Sequence, residues 1–171
     1  MTAGRIGMAL AAAGALLAIA LTVRWTPPGD GVPEQVDLEA TFPDVDGREV
    51  RLADFAGKPM VINLWATWCG PCRLETPQLV DLHAKYRERG LVILGISIDD
   101  RPEAIRAFAD EFKVTYPMLV GRDRHEELAA LGYSGPVPMT VFVRPDGTIA
   151  TRVVGIATTA SMERRILALF E

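Results

Sequence analysis

The feature that most limits what this chain can become is a junction. Residues 59–65 read PMVINLW, a continuous apolar run with β-branched side chains, the pattern of a strand buried on both faces. Four residues later comes Cys69-Gly70-Pro71-Cys72. From Gly70 to about Arg89 the spacing turns helical, with Leu79, Leu82 and Tyr86 as an inner stripe and Gly90 as the stop. A buried strand feeding a helix belongs to an α/β layer structure with parallel strands. The carboxyl end of such a strand is where α/β folds place ligands and chemistry. Both cysteines of the chain stand there.

The other segments extend this pattern. VDLEATFPDVDGREVRL (36–52) predicts a short hairpin with Asp46-Gly47 in its turn. LVILGISI (91–98) is a second buried strand. Pro102 opens a helix over 102–112, in which Ile105, Phe108, Ala109 and Phe112 recur at i, i+3, i+4 and i+7. YPMLV (116–120) is a short strand, and a short helix at about 123–131 carries Leu128 and Leu131. MTVFV (139–143) and TIATRVV (148–154) flank a Pro145-Asp146-Gly147 turn. A last helix over 159–170 buries Met162, Ile166 and Leu169. The closing hairpin makes the sheet mixed, with helices on both faces.

Composition excludes several classes. With 49% hydrophobic and 23% charged residues the chain is globular. Its net charge is −4 with no lysine/arginine cluster, so nucleic-acid binding has no electrostatic footing. Two cysteines build no disulfide-rich scaffold and fill no four-ligand zinc site. His83 and His125 are not spaced like finger ligands and read as surface residues.

Residues 6–23 carry no charge, and as a helix they span about 27 Å, close to a bilayer's hydrocarbon core. Arg5 precedes them, so the positive-inside tendency puts the remainder outside the cytoplasm. A cleaved signal peptide is the rival, with AIA at 18–20 as a small-x-small site. Residues 26–35, TPPGDGVPEQ, hold three prolines and two glycines and read as a linker. The expected organisation is 1–24 anchor or signal, 25–35 linker and 36–171 domain, with the domain in the periplasm or other extracytoplasmic space.

Cys69 falls at the helix N-terminus, where unpaired N–H groups and the helix dipole favour an anion. The thiolate is that anion and the nucleophile. One turn brings Cys72 within disulfide reach, and Pro71 is tolerated in the first turn. An exposed attacker at Cys69 and a shielded resolver at Cys72 suit thiol–disulfide exchange. The competing reading is a static structural disulfide, but such bonds gain by closing long loops, and this one closes almost nothing.

WCGPC (68–72) reproduces the active-site motif of thioredoxins. NLWATWCGPCRLETP (63–77) with SGPVPMTVFVRPDG (134–147) resembles the membrane-anchored TlpA/ResA-type thioredoxin-like proteins of bacteria, over about Val36–Glu171. The resemblance implies a thioredoxin-like fold: a central mixed sheet flanked by helices, with an N-terminal β-hairpin and an inserted helix–strand unit near 100–120, preceded by one transmembrane helix. It assigns Cys69 as nucleophile, Cys72 as resolving cysteine, Pro77 as the proline that kinks the active-site helix, and Pro138 as the cis-proline. Pro136 competes for that last role. Trp68, Gly70, Pro71, Val137 and Pro138 become the client-binding surface, with the Val137 backbone pairing to the client, while Trp65 goes to the core. Two positions depart from thioredoxin: Asn63 stands where a buried aspartate is usual, and Gly95 where its lysine partner is. TlpA/ResA-type proteins often carry a glutamate at the position of Glu75, which would manage the Cys72 proton. The competing reading is a solvated glutamate on a helix face.

The expected activity is a thiol–disulfide oxidoreductase that reduces client disulfides, with no cofactor beyond the Cys69–Cys72 pair. By resemblance, a transmembrane thiol reductant recharges it. Apocytochrome c or the copper-site cysteines of an oxidase are its clients, although Met139 follows the cis-proline where cytochrome-maturation reductants often carry glutamate. The alternatives are a peroxiredoxin-like peroxide reductase, against which stands the missing Pro-x-x-x-Thr before Cys69, and a copper-binding thiol module.

Overall fold

A computed structural model describes residues 34–171. The anchor or signal over 1–24 and most of the linker lie outside the described residues. Among the described residues no helix is long and apolar enough to cross a membrane.

The central strand is β3 (Met60–Trp65), buried at all six positions. With β1 (Thr41–Pro43) and β2 (Glu49–Arg51) forming a separate antiparallel hairpin, the main sheet holds β4 (Val92–Ser97), β5 (Met118–Val120), β6 (Met139–Val143) and β7 (Ile149–Val154). Its order is β5-β4-β3-β6-β7. The strands β3, β4 and β5 run parallel, and β6 and β7 are antiparallel to their neighbours. This is the expected mixed sheet. The register puts Asn63 between Gly95 on one side and Thr140 on the other, and pairs Leu64 with Met139. The end of β3 and the start of β6 therefore share one end of the sheet.

The helices are α1 (Gly70–Tyr86), α2 (Pro102–Phe112), α3 (His125–Ala130) and α4 (Thr159–Leu167). A 3-10 turn, Arg87–Arg89, carries α1 to Gly90, whose φ of 94° ends it as the sequence suggests. The last helix stops at Leu167 rather than 170, yet Leu169 remains buried in the core. On one face of the sheet α1, α2 and α4 bury Leu79, Leu82, Ile105, Phe108, Met162 and Ile166 against Val61, Trp65 and Phe142. The other face is covered by Leu128 and Leu131 of the α3 region and by Phe42 and Leu52 of the hairpin segment.

Two tight points fix the frame near the site. A Cβ on Gly121 would come within 2.7 Å of the Ser97 carbonyl oxygen, so only glycine lets the chain pass there. The inserted helix α2 stacks Phe108 on Trp65 with ring centroids 4.2 Å apart.

Candidate active site

The strand β3 delivers the chain into a short loop, Ala66–Cys69, and α1 begins at once. Cys69 is the N-cap of that helix, and its Sγ accepts from the Cys72 backbone N–H at 3.2 Å. Cys69 and Cys72 are joined in a disulfide with Cα atoms 5.2 Å apart. The expected contrast between an exposed and a shielded sulfur is absent in this oxidised form. Cys69 is 3% exposed and Cys72 1%. The bond holds Cys69 Sγ against Cys72 at the buried start of α1, and the rim is left to Trp68, Gly70 and Pro71, which are exposed. Trp65 is buried, as expected, whereas Trp68 is 64% exposed.

The loop before Cys69 is held by residues that the sequence did not single out. Asp100, buried just beyond β4, accepts from the Thr67 N–H at 2.7 Å, from Thr67 Oγ1 at 2.6 Å and from Ser97 Oγ at 2.6 Å. Its neighbour Asp99 accepts from Trp68 Nε1 at 3.2 Å through both oxygens. The only trace in sequence is an acidic pair at the carboxyl end of a buried strand, which also reads as an ordinary turn. Here it tethers Thr67 and Trp68, the two residues leading into the nucleophile.

Beneath α1, Asn63 Nδ2 donates to Glu75 Oε2 and to Thr140 Oγ1, each at 3.0 Å. The other Glu75 oxygen accepts from the Ala157 N–H at 3.5 Å. Glu75 is 1% exposed, which overturns the reading of a solvated helix-face residue. Burial pushes its carboxyl above the ordinary carboxylate value, more than the Ala157 and Asn63 hydrogen bonds lower it. At Gly95 there is no room for a long side chain. A Cβ there would lie 2.6 Å from Met118 Sδ and 3.2 Å from Tyr116. The Tyr116 phenol is pushed up by burial and then by the Glu75 charge, so it stays neutral.

The Val137–Pro138 bond is cis, which settles the choice between Pro136 and Pro138. Pro138 is buried and Val137 half-buried. The Pro138 carbonyl accepts from the Gly155 N–H at 2.8 Å. Pro77 lies inside α1, where it has no N–H for the ladder. Arg73, directly after Cys72, is bound by the inserted helix: its guanidinium pairs with Glu111 and lies 4.9 Å over the Phe112 ring and 5.5 Å over Phe108. Among the described residues no group of three or more His, Cys, Asp or Glu is placed to hold a metal ion. His125 is exposed, but His83 is half-buried and hydrogen-bonded to Thr115 Oγ1.

Residues 29–152 match the model of the AhpC/TSA family. The chain is 38% identical over 135 residues to "Thiol-disulfide oxidoreductase ResA" of Oceanobacillus iheyensis, covering 79% of this chain and 69% of that relative. Its fold superposes on a secreted Mycobacterium tuberculosis disulfide oxidoreductase with a TM-score of 0.68 at 27% identity, covering 77% of this chain and 96% of the other. A thiol:disulfide interchange protein of Chlorobium tepidum shares the fold with a TM-score of 0.73 at 23% identity, over 81% and 97% of the two chains.

Proposed function

The chain belongs to the AhpC/TSA family and is a thioredoxin-like thiol–disulfide oxidoreductase, and from that premise we propose that it works as a reductant of protein disulfides. The reading rests on one observation above the rest. The Cys69–Cys72 disulfide opens α1 at the same end of the sheet as the cis Val137–Pro138 bond, which leads into the neighbouring strand β6.

The cycle balances as follows. In the reduced protein the Cys69 thiolate, favoured by the N–H groups of the α1 start, attacks one sulfur of a client disulfide. A Cys69–client disulfide forms and the other client sulfur leaves as a thiolate, which takes a proton. The Cys72 thiolate then attacks Cys69 Sγ. The Cys69–Cys72 disulfide forms, the client's second thiolate departs and is protonated, and two electrons have passed to the client. Glu75, one helical turn from Cys72 and with its carboxyl raised above the ordinary value by burial, takes up the Cys72 proton. Trp68, Gly70, Pro71 and the Val137 backbone form the client surface.

The proposal extends to residues outside the described part. Residues 6–23 anchor the domain on the outer face of the cytoplasmic membrane and 25–35 space it from the surface, with a transmembrane thiol donor recharging the pair. Apocytochrome c or oxidase copper-site cysteines are the clients to test first. A mature protein beginning at Leu21 would remove the anchor from this picture.

The test is a trap. Cys72→Ser, expressed in the native cells, is expected to give a discrete mixed disulfide at Cys69 on non-reducing gels. Its absence, with Cys69 still open to alkylation, would sink the exchange cycle. A peroxide assay on the wild type separates the peroxidase alternative, which requires turnover of hydrogen peroxide at Cys69.

A further inference from the structure

One carboxylate at the rim of the site forms no ion pair among the described residues. Asp99 is exposed, and both its oxygens lie 3.2 Å from Trp68 Nε1, sharing a single N–H donor. A carboxylate has acceptor capacity for several more donors. Two cations of the helices α1 and α2 are committed elsewhere. Arg73 is held by Glu111, Phe108 and Phe112. Arg106 bonds Asp46 and the Val45 carbonyl. Among the described residues no lysine or arginine forms an ion pair with Asp99, its chain neighbour but one Arg101 included.

The placement of this charge matters for what can dock. Trp68 immediately precedes the nucleophile Cys69 and is the most exposed aromatic side chain at the site. A client segment that brings its sulfur to Cys69 passes this exposed indole, and Asp99 sits at the edge of that ring. The Tyr133 phenol is raised by burial and then by the Asp99 charge. The Tyr133 O–H donates to the Gly135 carbonyl at 2.7 Å, within the loop that runs to Pro138. The Trp68–Asp99 pair thus sets a carboxylate that has no ion-pair partner among the described residues against an exposed indole. Both attract cations, the carboxylate by charge and the indole face by its quadrupole.

We propose that Asp99 sets client preference: the corner of Trp68 and Asp99 receives a lysine or arginine flanking the reacting cysteine of the client. The proposal rests on the exchange cycle above and names the class of polypeptide that enters it. No new bond chemistry is added. The cation is held while the client sulfur is attacked, and it leaves with the reduced client.

Three disulfide-bonded peptides, identical except for Lys, Ser or Glu beside the cysteine, test this with the pre-reduced full-length protein. The readout is the ratio of second-order rates within each protein variant, so a general loss of activity cancels. At low ionic strength the wild type is expected to reduce the Lys peptide about fivefold faster than the Glu peptide, a gap that narrows as salt rises. Asp99→Asn, which still offers the Trp68 indole an acceptor, should remove most of the gap. Asp99→Lys should invert it. An equal gap in wild type and Asp99→Asn overturns the proposal, as does the lack of any gap in the wild type. Failure of the wild type to reduce any of the three peptides would instead bring down the exchange cycle itself, and the preference with it.

Discussion

Asn63 Nδ2 donates to Glu75 Oε2 over 3.0 Å, with both side chains buried beneath the active-site helix. A neutral amide thus stands where thioredoxins place a carboxylate, and the carboxylate has moved to the helix. The exchange keeps one ionisable group under the cysteines and hands its orientation to an amide that also grips Thr140.

Glu75 should leave a signature in stability against pH. Its folded-state value is raised by burial, so its protonated form is favoured by folding. That contribution is fully present below the unfolded-state value and is lost as pH rises through the folded-state value. Glu75→Gln carries no such dependence. The urea midpoint of Glu75→Gln relative to wild type should therefore climb from about pH 4 toward alkaline pH. A difference that stays flat across this window would show that Glu75 is not a buried titrating group.

Asn63→Asp restores the thioredoxin residue at its own position, where Glu75 already supplies a carboxylate. It sets a second carboxylate 3.0 Å from Glu75, and two carboxylates sharing a site cannot both ionise freely. The expected loss is about 3 kcal/mol at pH 8 and clearly less at pH 5, read by chemical denaturation at both values. Equal losses at the two values would contradict the shared-proton argument.

Asp100 accepts from three donors, the Thr67 N–H and hydroxyl in the loop leading into Cys69 and the Ser97 hydroxyl at the end of β4. Asp100→Ala leaves them unpartnered in a buried place, at a cost of about 2 kcal/mol or more. Client reduction should slow as well, because the loop no longer presents Trp68 and Cys69 on a fixed base. Unchanged stability together with unchanged client kinetics would mean that the loop is held by its backbone alone.

Phe108→Ala removes the ring that stacks on Trp65 at 4.2 Å and lies under the Arg73 guanidinium. The expected cost is about 3–5 kcal/mol. The emission of Trp65 should shift red as water gains access to its ring. An unshifted spectrum would place Trp65 outside the influence of α2.

The backbone elements were readable because each rests on a local period: the apolar run of β3, the i, i+3, i+4, i+7 spacing of α2, the Asp-Gly turn between β1 and β2. The cysteine pair was readable because its chemistry is set by adjacent residues and by the helix that follows. Of the support around it, Asn63 and Glu75 stood out through the family resemblance, but the contact between them did not. Asn63, Glu75, Thr140 and Ala157 meet only through sheet register and helix packing, and no short window of sequence holds more than one of them. Asp100 looks like half of a turn until Thr67 is brought to it.

A disulfide with 3% and 1% of its two residues showing is nearly sealed from free thiols in solution. Small thiols meet Trp68, Gly70 and Pro71 first, and collide mostly with surface that cannot react. A protein donor shaped to that rim reaches the sulfur through docking, so its rate is set by fit rather than by abundance. Such insulation lets a carrier keep its own redox state amid a dilute pool of competing thiols, and pass electrons only along the route its surface selects.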